Sequence, residues 1–194
     1  MVFRATTDLA KIKEAILDKT KGGSREAYEE IFVNYRDRIF SAAYHLCNFD
    51  REAALDLTQD VFLKVWEKFS QFDGRSDIYT WIYRIMLNLY FKEQRKKRLY
   101  ERFLQLFGVT KDERDHLQEA SQLSNLEQEE LKRALVKAMK KLSPKQEIVF
   151  KLKILDGMTF SRISEVTDMA EGTVKTHFIR AIKTLQQELK EWSV

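Results

Sequence analysis

The residues of this chain best suited to chemistry are cations and hydrogen-bond donors rather than nucleophiles. Between positions 171 and 183 stand Glu171, Gly172, Thr173, Lys175, Thr176, His177, Arg180 and Lys183. Val174, Phe178, Ile182 and Leu185 are interleaved with them at helical spacing. A helix so patterned has an apolar side for a core and an outer side of hydroxyls, an imidazole and cations, groups that can reach base edges and phosphates. A second set, Arg84, Asn88, Lys92 and Arg95, repeats at near four-residue steps and so lies along one side of a helix. Ordered cations suit a phosphate backbone, and Asn can pair with a base edge. Taken alone, each set also fits a solvated helix face.

Other chemistries find little here. There is no Gly-rich phosphate loop and no His-Glu-x-x-His pattern. His45, His116 and His177 are scattered and Cys47 is alone, so neither a metal site, a cofactor nor a disulfide framework is expected. Cys47 follows an apolar helix end and reads as a small buried residue. No apolar run approaches the roughly 18 residues of a membrane span. The opening Met1-Val2-Phe3-Arg4-Ala5-Thr6 lacks the apolar segment of a signal peptide.

The elements that must position these residues read as helices. One Pro and six Gly in 194 residues supply too few turns for a sandwich, a barrel or a wound α/β fold. With 44% hydrophobic residues the chain can bury a core. Lys21-Gly22-Gly23 is a hinge after a short helix from Leu9 to Leu17, and Ser24 can cap the next helix. That helix carries Ala27, Tyr28, Ile31, Phe32, Tyr35, Ile39, Ala42, Ala43 and Leu46. After a break at Cys47-Asn48-Phe49, Asp50 caps a second helix with Ala54, Leu57, Val61, Val65 and Phe69, flanked by Phe62 and Trp66. The polar loop Phe72-Asp73-Gly74-Arg75-Ser76-Asp77 leads into a third, with Ile78, Trp81, Ile82, Ile85, Met86 and Leu89, ending in the basic run near 98.

Beyond 98 the charge reverses. Glu101, Asp112, Glu113, Asp115, Glu119, Glu127, Glu129 and Glu130 outnumber Arg102, Lys111 and Arg114, in a stretch whose apolar start, Leu99 to Phe107, is expected to dock. A basic block followed by an acidic one points to a polyanion partner, although the net charge is only +4. An amphipathic helix then spans Leu131 to Leu142. Ser143-Pro144-Lys145-Gln146 supplies a cap, a Pro at the first helical position and a reciprocal Gln, and the helix continues to Asp156-Gly157. Thr159 caps a short helix to about Thr167, and Asp168-Met169-Ala170 turns into the helix from Glu171 to Leu189. Short helix, tight turn and longer helix make a helix-turn-helix outline.

Two stretches carry a family resemblance. Asp56-Leu57-Thr58-Gln59-Asp60-Val61-Phe62-Leu63-Lys64-Val65-Trp66, with Phe72-Asp73-Gly74-Arg75-Ser76 and Tyr79-Thr80-Trp81-Ile82-Tyr83-Arg84-Ile85-Met86-Leu87-Asn88, resembles region 2 of the extracytoplasmic-function sigma factors. Leu142-Ser143-Pro144-Lys145-Gln146 with Gly172-Thr173-Val174-Lys175-Thr176-His177-Phe178-Ile179-Arg180-Ala181 resembles their region 4. Leu55 stands where an acidic residue often precedes the aspartate, and Ala170 stands where a capping Ser is usual, a change worth about 1 kcal/mol.

The resemblance implies an all-α protein of two small helical domains. Residues 24–98 would form a three-helix region 2 bundle and 131–194 a four-helix region 4, with an acidic linker at 99–130 and an extension at 1–23. It implies a cytoplasmic, non-catalytic initiation subunit of bacterial RNA polymerase acting on promoter DNA, without membrane insertion. Region 2 would meet the β′ clamp through Asp56, Gln59, Asp60 and Leu63. It would hold the opened minus-ten element with Phe72, Asp73, Gly74, Arg75, Ser76 and Asn88, while Arg84, Lys92 and Arg95 hold the backbone. The aromatics of the third helix read mostly as core, with some of Tyr79, Tyr83 and Tyr90 as further candidates for contact with unstacked bases. Region 4 would meet the β flap and the minus-thirty-five element through the residues 171–183 named above. The acidic linker would follow a basic channel of the polymerase, and an anti-sigma factor is a further candidate partner. A second reading stays open: a helix-turn-helix regulator that binds duplex DNA without the polymerase core. Its first half should then alternate strands and helices. A third, an RNA-binding or scaffold protein, would need aromatics on a sheet or a repeat.

Overall fold

The computed structural model describes residues 24–106 and 126–190, and every regular element among them is helical. The expected helix at 9–17 and residues 107–125 of the acidic stretch lie outside the described residues. The rest falls into two units, 24–44 with 51–106, and 45–50 with 126–190.

α1 spans Ser24–Leu46, its last two residues and the break after it belonging to the second unit. In the first unit it is followed by α2 at Arg51–Lys68 and α3 at Ile78–Leu106, with a 3-10 turn at Phe69–Gln71 before the loop. The break after α1 is made by Asn48 and Phe49, both left-handed at φ 57° and 67°. Such backbone is uncommon for Asn and rarer still for Phe. α1 buries Ala27, Ile31, Tyr35, Ile39, Ala42 and Ala43 along one side. α2 packs on α3 and buries Ala54, Val61, Phe62 and Val65, while Trp66 is half-exposed. α3 buries Ile78, Ile82, Ile85 and Met86 as the spacing demands, together with Tyr83, Leu87 and Tyr90. It also runs past 98, to Leu106, because no Gly or Pro interrupts it before Gly108. Leu99 and Tyr100, expected to dock, are exposed on it.

In the second unit α4 spans Leu126–Met139, α5 Pro144–Phe150, α6 Phe160–Thr167 and α7 Glu171–Glu188. α4, α5 and α6 each pack against α7. Ala138, Met139, Leu142, Phe150, Ala181 and Leu185 form a core there, flanked by Leu135, Val136, Phe178, Ile182 and Leu189. α4 begins and ends a few residues earlier than its periodicity suggested, and Leu142 packs from the turn that follows. α5 passes into a π turn at Lys151–Leu155 where an unbroken α-helix was expected. Lys151 is wholly buried there, and its ammonium donates to Glu147 Oε1 at 2.6 Å. A buried cation needs such a partner.

Local chemistry sets the ends of these helices. Ser143 Oγ accepts from the Gln146 N–H, Gln146 Oε1 accepts from the Ser143 N–H at 2.9 Å, and Pro144 follows at the first helical position. Gly157 ends the π turn at φ 65°, and Thr159 Oγ1 accepts from the Arg162 N–H at 3.1 Å to start α6. Asp168, at φ 57°, ends α6. Ser164 ties the turn down by donating to the Met169 carbonyl at 2.6 Å. Ala170 brings no side-chain cap to α7.

Ser143→Ala should destabilise the chain by about 1 kcal/mol through loss of the cap. Gly157→Ala should cost about 1–2 kcal/mol through left-handed backbone alone, since no atom lies within 4 Å of the added Cβ. Urea unfolding followed by circular dichroism measures both, and a neutral Gly157→Ala would contradict the assigned backbone.

Candidate nucleic-acid interface

The rotational setting of α7 decides which of its side chains meet solvent. Val174, Ala181 and Leu185 are buried along one side. The opposite side and the first turn expose Glu171, Gly172, Thr173, Lys175, Thr176, Arg180 and Lys183. Lys175 Nζ lies 2.7 Å from Glu171 Oε1 one turn back, and Thr176 donates to the Gly172 carbonyl at 2.9 Å. Ile179 is 67% exposed beside Arg180. Periodicity gave no warning of this, because the apolar Ile stands on the polar side. An apolar group there could meet a thymine methyl in a major groove.

His177 differs from its neighbours. It is only partly exposed, and its Nδ1 is buried with no hydrogen-bond partner among the described residues. Burial pushes its pKa below the ordinary 6.5, and the charges of Lys145 and Arg180 push the same way. The imidazole is therefore held neutral among cations.

In the first unit, the loop before α3 is pinned at both ends. Asp77 caps α3, accepting from the Thr80 N–H at 3.0 Å and from the Thr80 hydroxyl, and Thr80 is itself buried. Asp73 Oδ1 accepts from the Arg75 N–H at 3.1 Å, Asp73 Oδ2 pairs with Arg75 Nε at 3.1 Å, and Gly74 turns the chain at φ 73°. Asp73 and Arg75 are exposed, with Gly74 and Ser76 partly so. Phe72 departs from expectation. It is 6% exposed, with its ring 5.2 Å from that of Trp81. Its ring anchors the loop to the core instead of facing a base, because an apolar side chain next to a short loop gains most by burial. Tyr83 and Tyr90 are core residues for the same reason. Tyr79 remains half-buried, with the Arg38 guanidinium 4.0 Å from its ring centroid. The stripe of Arg84, Asn88, Lys92 and Arg95 is exposed throughout, opposite the buried side of α3.

On α2, Asp56, Gln59, Asp60 and Leu63 are all exposed, Leu63 by 62%. The half-exposed Trp66 meets Tyr28 edge to face at 4.9 Å, and Phe32 meets Phe62 likewise at 4.9 Å. The Tyr28 hydroxyl donates to the Phe62 carbonyl at 3.1 Å. Among the described residues no group of three or more His, Cys, Asp or Glu is placed to hold a metal. No helix among them is long and apolar enough to cross a membrane.

Residues 31–100 match the family model of sigma-70 region 2, and residues 132–185 match that of sigma-70 region 4. The chain is 27% identical over 182 residues to the ECF RNA polymerase sigma factor SigW of Bacillus subtilis, covering 90% of this chain and 95% of that one. It is 28% identical to the ECF sigma factor BldN of Streptomyces coelicolor, covering 96% of this chain and 69% of that one. In fold it is similar to the sigma factor RpoE from Bartonella quintana, solved with the anti-sigma factor NepR. The TM-score is 0.63 at 24% identity, covering 84% of this chain and 96% of that one. A second fold relative is CnrH, solved with the cytosolic domain of CnrY, with a TM-score of 0.62 at 19% identity, covering 96% and 99%.

The lowered pKa of His177 has a signed consequence. The unfolded chain takes up the proton more readily, so the neutral imidazole's contribution is complete above pH 6.5 and is lost as pH falls through the lower folded value. Wild type should therefore lose stability relative to His177→Gln on acidification, while their difference stays constant above pH 6.5. Paired urea titrations from pH 8 to 5 measure this, and a pH-independent difference would contradict it.

Proposed function

Because this chain belongs to the sigma-70 family, as an ECF sigma factor that directs RNA polymerase to promoters and catalyses no reaction itself, we propose that its two helical units divide promoter recognition between them. The observation that carries this reading is the presence in one chain of two exposed polar helix faces, on α3 and α7, each fixed opposite a buried apolar side.

In this reading residues 24–98 are the region 2 domain and 131–194 the region 4 domain, joined by 99–130, with 1–23 an extension of unassigned role. The loop Asp73-Gly74-Arg75-Ser76 with Asn88 receives bases of the opened minus-ten element, while Arg84, Lys92 and Arg95 hold the displaced backbone. Extruding a base costs a few kcal/mol, which contacts in such a pocket must offset. Phe72 serves by anchoring the loop. The α7 residues Glu171, Gly172, Thr173, Lys175, Thr176, His177, Arg180 and Lys183 read or flank the duplex minus-thirty-five element, joined by Ile179. Asp56, Gln59, Asp60 and Leu63 meet the β′ clamp, and region 4 also meets the β flap. The acidic linker follows a basic channel of the polymerase, since like charge would be repelled by promoter DNA. The protein works in the cytoplasm, and an anti-sigma factor, the kind of partner bound to RpoE in its fold relative, is a further candidate partner.

The duplex-only regulator finds no support in the first unit, where a receiver's alternating strands are replaced by helices among the described residues. Pull-down with core RNA polymerase followed by run-off transcription tests the reading. Duplex binding without polymerase capture would favour the regulator.

Arg180→Ala should cost about 1–3 kcal/mol of duplex binding and relax preference at one base position, as measured on a panel of single-substitution duplexes. A loss equal on every sequence would assign Arg180 to a phosphate. Asp60→Arg should keep its helical circular dichroism while losing core-polymerase affinity, and unchanged affinity would remove α2 from that interface.

A further inference from the structure

Phe160, the first residue of α6, holds two lysines from different elements. Lys153 Nζ, from the π turn, lies 4.9 Å from the centroid of its ring, and Lys175 Nζ, from α7, lies 5.9 Å from the same centroid. The ring is itself fixed, meeting Phe178 edge to face at 5.5 Å, and Thr159 caps the helix that starts with it. Each ammonium has a second restraint. Lys153 donates to the Met158 carbonyl at 3.0 Å, and Lys175 pairs with Glu171 at 2.7 Å. Among the described residues Lys153 has no carboxylate within ion-pair distance, so its charge is not neutralised locally.

We propose that Lys153 is a further DNA phosphate contact, outside the recognition helix, and that Phe160 is the positioning residue that holds it beside Lys175. This rests on the reading of α6 and α7 as a DNA-binding helix-turn-helix. In that motif the first helix crosses the phosphate backbone while the second enters the major groove. The start of α6 and the first turns of α7 are therefore where a strand passes, and the Phe160 ring has one cation from the π turn and one from α7 near it there. A free lysine loses much rotamer entropy on docking. A cation already held over an aromatic face loses less, and the ring's negative face adds its own attraction. Lys153 falls outside the helix-turn-helix pattern in sequence, standing 22 positions before Lys175.

A duplex of random sequence is a sufficient probe, because phosphate contacts are independent of sequence. Binding of the full chain is measured from 50 to 200 mM salt for wild type, Lys153→Gln, Phe160→Leu and Phe160→Trp, with thermal unfolding alongside. Lys153→Gln should lower the slope of log K against log salt by about 1. Its deficit relative to wild type should shrink about threefold across that range. Phe160→Leu should move the slope the same way, and Phe160→Trp should restore it. A wild-type slope in Lys153→Gln, whatever its melting temperature, would overturn the proposal while leaving the helix-turn-helix reading intact. Failure of the wild-type chain to bind the duplex at any salt would overturn both.

Discussion

The setting of α7 depends on one constraint, the burial of Val174, Ala181 and Leu185 along a single side. At 3.6 residues per turn a helix cannot bury one side without committing the other. Rotating α7 to present a different set would bring Arg180 or Lys183 against Phe150 and Leu142, and an unpaired buried cation costs far more than the core could return. The apolar core thus acts as the template for the polar surface. α3 obeys the same rule, with Ile82 and Met86 on one side and Arg84 and Asn88 on the other.

This coupling explains what was legible in the sequence. Where one side of a helix is apolar and the other charged, the pattern states both packing and exposure, so the stripe from Arg84 to Arg95 and the outer face of α7 could be read directly. Helix starts were legible where a cap has a chemical signature, as at Ser143 and Thr159. Aromatic side chains were not, because the same ring can fill a core or stack on a base. The third helix's aromatics read mostly as core, but which of Phe72, Tyr79, Tyr83 and Tyr90 stay outside it is settled only by packing, which buries Phe72, Tyr83 and Tyr90. The exposure of Trp66 and Ile179 was not legible either, since an apolar residue carries no mark saying that its side of the helix has no neighbour. The capping role of Asp77 escaped because its main partner, Thr80, looked like an ordinary helix residue.

The two units differ in how much apolar surface they leave uncovered. The second closes a small core with Leu135, Phe178 and Ile182 packed around it. The first leaves Leu63, Trp66, Phe32 and Val33 more than a third exposed. Apolar surface retained on a small helical unit is costly in water unless something covers it for part of its working life. That is in keeping with the polymerase contact proposed for α2, and the edge-to-face rings of Tyr28 and Trp66 keep the surface ordered in the meantime.

The π turn at Lys151–Leu155 has a bearing on how such chains vary in length. A π turn accommodates one residue more than an α turn between the same flanks. Loss of one residue here would let α5 close into a regular helix, with the capped start at Ser143 and the Gly157 stop both kept. Gain of a residue in the middle of α7 would instead rotate everything beyond it by about 100° and turn Ala181 and Leu185 away from their core. Deletions in the lineage of this protein should therefore be tolerated just before the helix-turn-helix and purged within it.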